Sequence, residues 1–319
     1  MHMRKLNKII IFFAIIGLTF TACPGNPSEK EFNAKDFVKV NGTTVKGAVE
    51  GSKVFIEGRS IKIPDMYVCI HEVTQKEYEA FCRYGKSMES NVPNAKEGIG
   101  ENFPAYYLNW YDAIVYCNLR SLAEGFAPAY SLNGETNPAN WDGILSETVD
   151  GATKYCGPTK RTDDWDYKGG DDVGIKFNPS ASGYRLPTEA EWEYIARGGD
   201  KGIPAEQTKY SGSDDNKEVS WDLSNSENTS HPVMTKKHNS LGIYDMTGNV
   251  WEWCWDWSGK IIATEEEVTP DTGCDSGSTR MSRGGNWGSS PMEVSSRFGN
   301  WVPAQYGNGL GLRLVRNAD

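Results

Sequence analysis

The sequence predicts an α+β domain with few helices, short strands and much ordered loop. Three observations carry that expectation. Helix-start signals are few but sharp, the β-like runs are brief and end in turn residues, and 34 glycines accompany 12% aromatic residues in a chain of 319. That aromatic content is foreign to a disordered chain, and that glycine content is foreign to a coiled coil. The length suits one large domain or two small ones. A formal charge of −10 argues against a nucleic-acid partner, which would need a basic face. No fixed-period repeat is present, so neither a propeller nor a solenoid is expected.

The chain opens on Arg4, Lys5 and Lys8, followed by an apolar run from Ile9 to Phe20. That run is too short for a hydrocarbon core of ~30 Å, which takes about 20 helical residues. It reads as a secretory signal over residues 1–22. Phe20-Thr21-Ala22-Cys23 resembles the lipobox of bacterial lipoproteins. The resemblance implies acylation of Cys23 and attachment to the outer membrane at a bacterial cell surface, and several acyl chains anchor firmly. The alternative is ordinary signal cleavage with Cys23 as a spare thiol. Removing residues 1–22 leaves 30 Lys+Arg against 43 Asp+Glu, a charge of −13.

Residues 23–35 are polar and rich in Pro and Gly, as a tether would be. Short β-like runs follow at Phe37–Val40, Lys53–Ile56 and Ser60–Ile63, with Asn41-Gly42 and Glu57-Gly58 reading as hairpin connections. Three helices are signalled. Thr74 and Glu77 form a capping box for a helix to about Cys82. Asn109 caps a second, from Trp110 to about Ala123. Thr188 and Glu191 form another box for a helix that ends at Arg197 before Gly198-Gly199. Residues 133–182 and 200–240 read as loop. Besides Cys23, the exported chain carries six cysteines: Cys69, Cys82, Cys117, Cys156, Cys254 and Cys274. They permit disulfides of unresolved connectivity or buried free thiols.

Several segments together resemble the formylglycine-generating enzyme (sulfatase-modifying factor) family. They are Glu72-Val73-Thr74, Leu108-Asn109-Trp110-Tyr111-Asp112-Ala113, Arg185-Leu186-Pro187-Thr188-Glu189-Ala190-Glu191-Trp192, Gly242-Ile243-Tyr244-Asp245-Met246-Thr247-Gly248-Asn249-Val250-Trp251-Glu252-Trp253, Arg283-Gly284-Gly285-Asn286-Trp287 and Gly311-Leu312-Arg313-Leu314. The resemblance implies a C-type lectin-like fold with small twisted antiparallel sheets, spanning residues 36–319 as one domain. On the residues alone, Trp251 and Trp253 alternate as core indoles of a strand, and Arg313 reads as a buried ion-pair partner. Trp192 and Tyr194 cannot share one helix face.

The family's oxidase chemistry uses two copper-binding cysteines, expected here near Ser289 and Val294. Neither position carries a thiol, and no cysteine follows Cys274. Soft thiolates hold Cu(I); a hydroxyl or an isopropyl group cannot. A related branch uses iron on a His-x-x-x-His helix, a spacing that His71, His231 and His238 do not provide. No catalytic residue and no catalytic cofactor are therefore expected. The resemblance allows a structural Ca²⁺ at Asp245, Gly248, Val250 and Glu252, where a hydrogen-bonded turn without an ion is the alternative.

Residues 283–316 alternate fold-bearing residues with small and aromatic ones, the composition of binding paratopes. This pattern resembles the variable proteins of diversity-generating retroelements, which vary a carboxyl-terminal cassette on such a fold. The expected ligand site comprises Gly288, Ser289, Ser290, Met292, Ser296, Phe298, Gly299, Asn300, Trp301, Gln305, Tyr306 and Asn308. Phe298, Trp301 and Tyr306 would form an aromatic patch if exposed. The expectation is a monomeric surface lipoprotein that binds a protein or glycan ligand non-covalently. The alternatives are a metal-dependent oxidase of the family and a structural envelope lipoprotein with no ligand.

Overall fold

The computed structural model describes residues 34–84, 92–157, 174–203, 207–263, 266–269, 273–274, 276–301, 303 and 306–318. The expected signal, Cys23 and almost all of the tether lie outside these residues, as does Gln305.

Four helices stand among short strands: α1 Gln75–Phe81, α2 Trp110–Glu124, α3 Glu189–Ala196 and the single turn α4 Asn216–Val219. Three of them begin as the sequence predicts. Thr74, Asn109 and Thr188 accept the N3 backbone N–H, while Glu77, Asp112 and Glu191 reach back to the N-cap N–H. Gly125, at φ +83, ends α2 in the left-handed conformation that glycine adopts without a Cβ penalty. All eight residues of α3 are buried, so Trp192 and Tyr194 point to different parts of the interior. Trp192 Nε1 donates to Glu252 Oε2 at 2.7 Å, and the Tyr194 hydroxyl donates to Asn41 O at 2.8 Å.

The strands in chain order are β1 Phe37–Val40, β2 Thr44–Lys46, β3 Ser60–Lys62, β4 Met66–Cys69, β5 Tyr130–Leu132, β6 Leu145–Val149, β7 Ala152–Cys156, β8 Ile175–Phe177, β9 Ser220–Trp221, β10 Thr247–Gly248, β11 Trp251–Trp257, β12 Glu267–Val268, β13 Arg280–Arg283, β14 Phe298–Trp301, β15 Leu310–Gly311 and β16 Val315–Asn317. One sheet runs β1-β4-β16, both outer strands antiparallel to β4, so the two ends of the described chain meet on one strand. The largest sheet, β14-β13-β11-β15, carries the carboxyl-terminal segment.

Some strand expectations fail for identifiable reasons. Lys53–Ile56 is a turn, because Ser52 Oγ accepts the N–H groups of both Val54 and Phe55. Its apolar residues Val54 and Phe55 are nevertheless buried. Asn41-Gly42 is not a hairpin connection, since β1 pairs with β4 and β2 with β3. Gly42 instead passes so close to the chain that a Cβ there would lie 2.1 Å from Ile63 O. Glu57-Gly58 connects that turn to β3 rather than joining two paired strands. The expected loop 133–182 contains the β6–β7 hairpin and β8. Among the described cysteines, Cys69, Cys82, Cys117, Cys156 and Cys254 are buried free thiols, and Cys274 is half-buried.

Among the described residues two large apolar clusters and a small one of Tyr106, Val250 and Trp287 fill the interior. Of the two large ones, one gathers around α2, with Trp110, Tyr116, Leu186 and Trp253, and the other around α3, with Trp192, Ile195, Met246 and Met281. Buried ion pairs stand beside them. Arg283 Nη1 meets Glu189 Oε1 and its Nη2 meets Glu193 Oε2, both at 2.8 Å, with all three side chains fully buried. Arg185 pairs with Glu191 and Arg313 with Glu252, each at 2.6 Å. Buried charge in such a place is tolerated only when paired and hydrogen-bonded.

Two outcomes are expected. Arg283→Met should cost roughly 3 kcal/mol in urea unfolding, the low end for breaking a buried pair, because Arg297 and Arg197 still face Glu189 and Glu193. Burial pushes the Asp112 carboxyl up from its ordinary 3.8 to about 7, against the N–H groups of Asn109 and Gly157 that favour its charge. The native state thus holds this proton more tightly than the unfolded state. Its contribution is complete below 3.8 and is lost as pH rises through about 7. In Asp112→Asn, the decline of unfolding free energy across that window should be shallower than in wild type.

Candidate ligand-binding site

The expected site is built on a clamped loop. Arg283, at the end of β13, holds Glu189 and Glu193 and donates to Val294 O at 2.5 Å, so one guanidinium ties the start of the loop to its return. Arg297 adds a two-pronged contact to Glu189, at 2.7 Å on each oxygen. Gly284 and Gly285 follow at φ +93 and +85, turning the chain outward. Trp287 then plunges inward and meets the Tyr106 ring edge-on at 5.0 Å.

Asn286 organises what lies outside. Its Oδ1 accepts from Gly288 N at 3.1 Å and its backbone N donates to Ser289 Oγ at 2.9 Å. Its Nδ2 donates to Asn308 O at 3.2 Å, joining the 286–290 loop to the 306–309 turn. The neighbouring loop 222–228 braces the same place: Leu223 N donates to Ser289 O at 2.9 Å, and Ser226 Oγ to Trp287 O at 2.7 Å. That brace was not foreseen. Its only signal is the polar run Asp222–Asn228, whose Asp222 gathers Ser220, Ser224 and Asn216.

Gly288, Ser290, Asn300 and Asn308 are exposed, while Ser289, Met292, Ser296, Phe298, Gly299, Trp301 and Tyr306 are half-buried. The aromatic residues are therefore a floor rather than a protruding patch. Phe298 stacks on Trp251 at 4.8 Å and lies 5.9 Å from Trp301, and both pack against the α2 cluster. Trp251, read from sequence as core alone, thus underlies the site. The reason is β14 itself, which hydrogen-bonds to β13 through a bulge between Arg280 and Ser282 and so turns its aromatic side chains onto the sheet. Trp301 Nε1 is buried without a hydrogen-bond partner. Burial, with Asp112 and Cys156 nearby, holds the Tyr306 hydroxyl well above the ordinary phenol range.

The two positions expected for family thiols differ in setting. Ser289 Oγ is occupied by the backbone of Asn286, and Val294 is packed in the α3 cluster. The histidines are dispersed: His71 Nδ1 contacts Glu72 O, His231 stacks on Trp221 at 3.7 Å, and His238 Nδ1 contacts Asn239 O. Among the described residues no three His, Cys, Asp or Glu side chains converge as metal ligands.

The four residues expected to hold calcium lie along one turn and strand, but their side-chain donors are engaged. Glu252 accepts Arg313 Nε on both oxygens, Arg313 Nη2 on Oε1 and Trp192 Nε1 on Oε2. Asp245 Oδ2 accepts Met234 N at 2.7 Å. Glu72, which sequence reading missed, enters the same cluster and accepts Val250 N and Asn249 Nδ2. Burial first, then Asp245 and Glu252, raise the Glu72 carboxyl well above the ordinary range, and burial raises Asp245 to about 6. This is an arginine-compensated carboxylate cluster, in which Arg313 and Trp192 take up lone pairs on both oxygens of Glu252 that a hard cation would otherwise use.

Few helices, short and mainly antiparallel sheets and this loop-rich carboxyl-terminal frame define a C-type lectin-like domain of the formylglycine-generating-enzyme type. Residues 24–318 match the sulfatase-modifying factor enzyme 1-like domain, and the chain belongs to that family. It is similar to the chaperone protein LppX of Paenibacillus barcinonensis, 32% identical over 333 positions that cover 99% of this chain and all of the relative. It is also similar to the formylglycine-generating enzyme of Streptomyces coelicolor, 32% identical over 157 positions, 43% of this chain and 48% of that enzyme. Among solved structures, Treponema denticola variable protein 1 superposes with a TM-score of 0.65 at 28% identity, covering 88% of this chain and 95% of that one. CarF superposes with a TM-score of 0.61 at 25% identity, covering 89% and 98%.

Two outcomes are expected here. Asn286→Ala should lower stability by about 1–2 kcal/mol and raise amide exchange at Gly288, whose N–H it frees. Excess calcium should leave the thermal midpoint where a chelator leaves it; a calcium-dependent rise would show that Glu252 can leave Arg313.

Proposed function

We propose that this chain is a non-catalytic binding lipoprotein of the variable-protein type, lipid-anchored through Cys23 to a bacterial outer membrane. It binds a protein or glycan ligand, as a monomer, through residues 288–308. The observation that carries this reading is the separation within the carboxyl-terminal segment. Small polar residues Gly288, Ser290, Asn300 and Asn308 stand exposed over an aromatic floor, while Arg283, Trp287 and Arg313 are buried and engaged elsewhere. Such a surface can change in sequence with little cost to the fold. Rigid aromatics beneath adaptable polar residues are suited to recognition. The similarity to the variable protein of Treponema denticola supports the reading, and Ser289 and Val294 offer no thiolate for the family's oxidation.

Trp301 is the expected anchor of the floor. Trp301→Ala should weaken binding to an identified surface protein or glycan by more than ~1 kcal/mol, measured by titration on the immobilised ligand. Unchanged affinity would remove Trp301 from the site. The flanking DNA tests the class: a near-identical repeat differing only at adenines, beside a reverse transcriptase, is expected. Stoichiometric copper with peptide oxidation by the purified protein would replace this reading with the oxidase.

The relative named a chaperone favours a second reading, in which the same floor holds a partly folded client. Suppression of aggregation of an unfolded secreted enzyme, lost in Trp301→Ala, would distinguish it.

A further inference from the structure

A second polar cavity lies where α3 ends, and it shares no lining residue with segment 283–316. Its volume is about 420 Å³, and the turn after α3, Thr208, Gly212 and residues 237–240 enclose it. Three basic side chains line it, Arg197, Lys237 and His238, and no Asp or Glu does so among the described residues. We propose that this cavity binds the oxyanion of a small phosphate or sulfate monoester.

Arg197 is the centre of the case. Its side chain is 2% exposed. Its Nε donates to Glu193 Oε1 at 2.9 Å and its Nη1 to Gln207 Oε1 at 3.0 Å, but its Nη2 is buried with no partner. A guanidinium donor in that condition forgoes a charge-assisted hydrogen bond, and such orphans are uncommon in folded proteins. The cavity borders this guanidinium, whose charge would attract an anionic oxygen placed there.

The surroundings favour an anion despite the helix end. The C-terminus of a helix repels negative charge through its open carbonyls. Here two of those carbonyls are covered: Asn239 Nδ2 donates to Ile195 O at 3.0 Å, and Ser211 Oγ to Ala196 O at 2.8 Å. His238 spends Nδ1 on Asn239 O, which leaves Nε2 for a ligand. Gly198, at φ +92, makes room for the Ser240 hydroxyl; a Cβ there would sit 2.3 Å from it. The carboxylates close by are paired outside the cavity lining. Glu193 is shared between Arg197 and Arg283, and Glu218 faces Lys237 as a mutually exposed pair, weak in water. The volume exceeds that of a bare oxyanion and lies in the range of small-molecule sites, so the anion would carry an organic remainder.

Calorimetric titration of the folded chain with glycerol 3-phosphate tests the proposal, with inorganic phosphate, glycerol sulfate and glycerol as separate arms. Lys237, His238 and Ser240 are exposed, so their substitution spares the fold, whereas Arg197 is better left intact. Saturable one-site binding of either ester is expected in the millimolar range or tighter, with glycerol silent. Inorganic phosphate should bind more weakly than the phosphate ester. Lys237→Ala combined with His238→Ala should weaken the ester about tenfold, on the scale of lost charged hydrogen bonds, and Lys53→Ala on an exposed turn should not. Absence of saturable ester binding would overturn the proposal. So would equal loss in Lys53→Ala, or full affinity in the double variant. These readouts need no ligand of the 288–308 surface, so their failure leaves that reading standing.

Discussion

The structure depends most on one guanidinium. Arg283 sits fully buried between Glu189 and Glu193 of α3, 4.9 Å from the Trp192 ring, and reaches Val294 O across the loop it begins. Moving any one of these charges into the interior alone would be prohibitive; together, hydrogen-bonded and near-neutral, they are tolerated. The helix therefore cannot shift without β13, and β13 cannot shift without the carboxyl-terminal loop. Arg313 repeats the device one strand away, locking the last segment to Glu252, through Cys69 O to the amino-terminal half, and through Tyr244 O to the segment before β10.

This arrangement explains how one segment can be rigid and yet open to substitution. Between the clamps at Arg283 and Arg313, the exposed residues among those described are the small or polar Gly288, Ser290, Asn300 and Asn308 with the charged Glu293, and the 286–290 loop and the 306–309 turn are held by Asn286 and the loop 222–228. The aromatic residues are drawn down onto Trp251 because β14 is bulged against β13. A surface so supported provides a preorganised binding face, which limits the entropy lost on association. The same geometry leaves Ser289 and Val294 where a redox pair would need thiolates.

What the sequence made legible was local. The capping boxes at Thr74 and Thr188 and the cap at Asn109 sit in stretches of four residues whose hydrogen bonds close on themselves, so α1, α2 and α3 could be placed nearly to the residue. The alternation of Trp251 and Trp253 marked a strand for the same reason. What escaped was set by distant partners. Lys53–Ile56 has a strand's composition, but Ser52 captures its N–H groups. Glu252 matches a calcium motif, but Arg313, 61 residues away, occupies its oxygens. Exposure in the 288–308 segment could not be read either, since Phe298 and Trp301 look alike in composition whether they protrude or pack. Fold signals here are short-range, and the character of the site is long-range.

On this structure the display surface and the ion-paired frame are energetically separate. Equilibrium urea unfolding of a chain carrying Gly288→Ser, Ser290→Tyr, Asn300→Tyr and Asn308→Ser together measures this most directly. Each position is exposed, and a Cβ at Gly288 would meet no atom closer than 3.5 Å. The expected change in unfolding free energy is within about 1–2 kcal/mol of wild type, the sum of ordinary surface effects. A loss of several kcal/mol, comparable to breaking a buried ion pair, would contradict it, because the supposed display residues would then be part of what holds the fold.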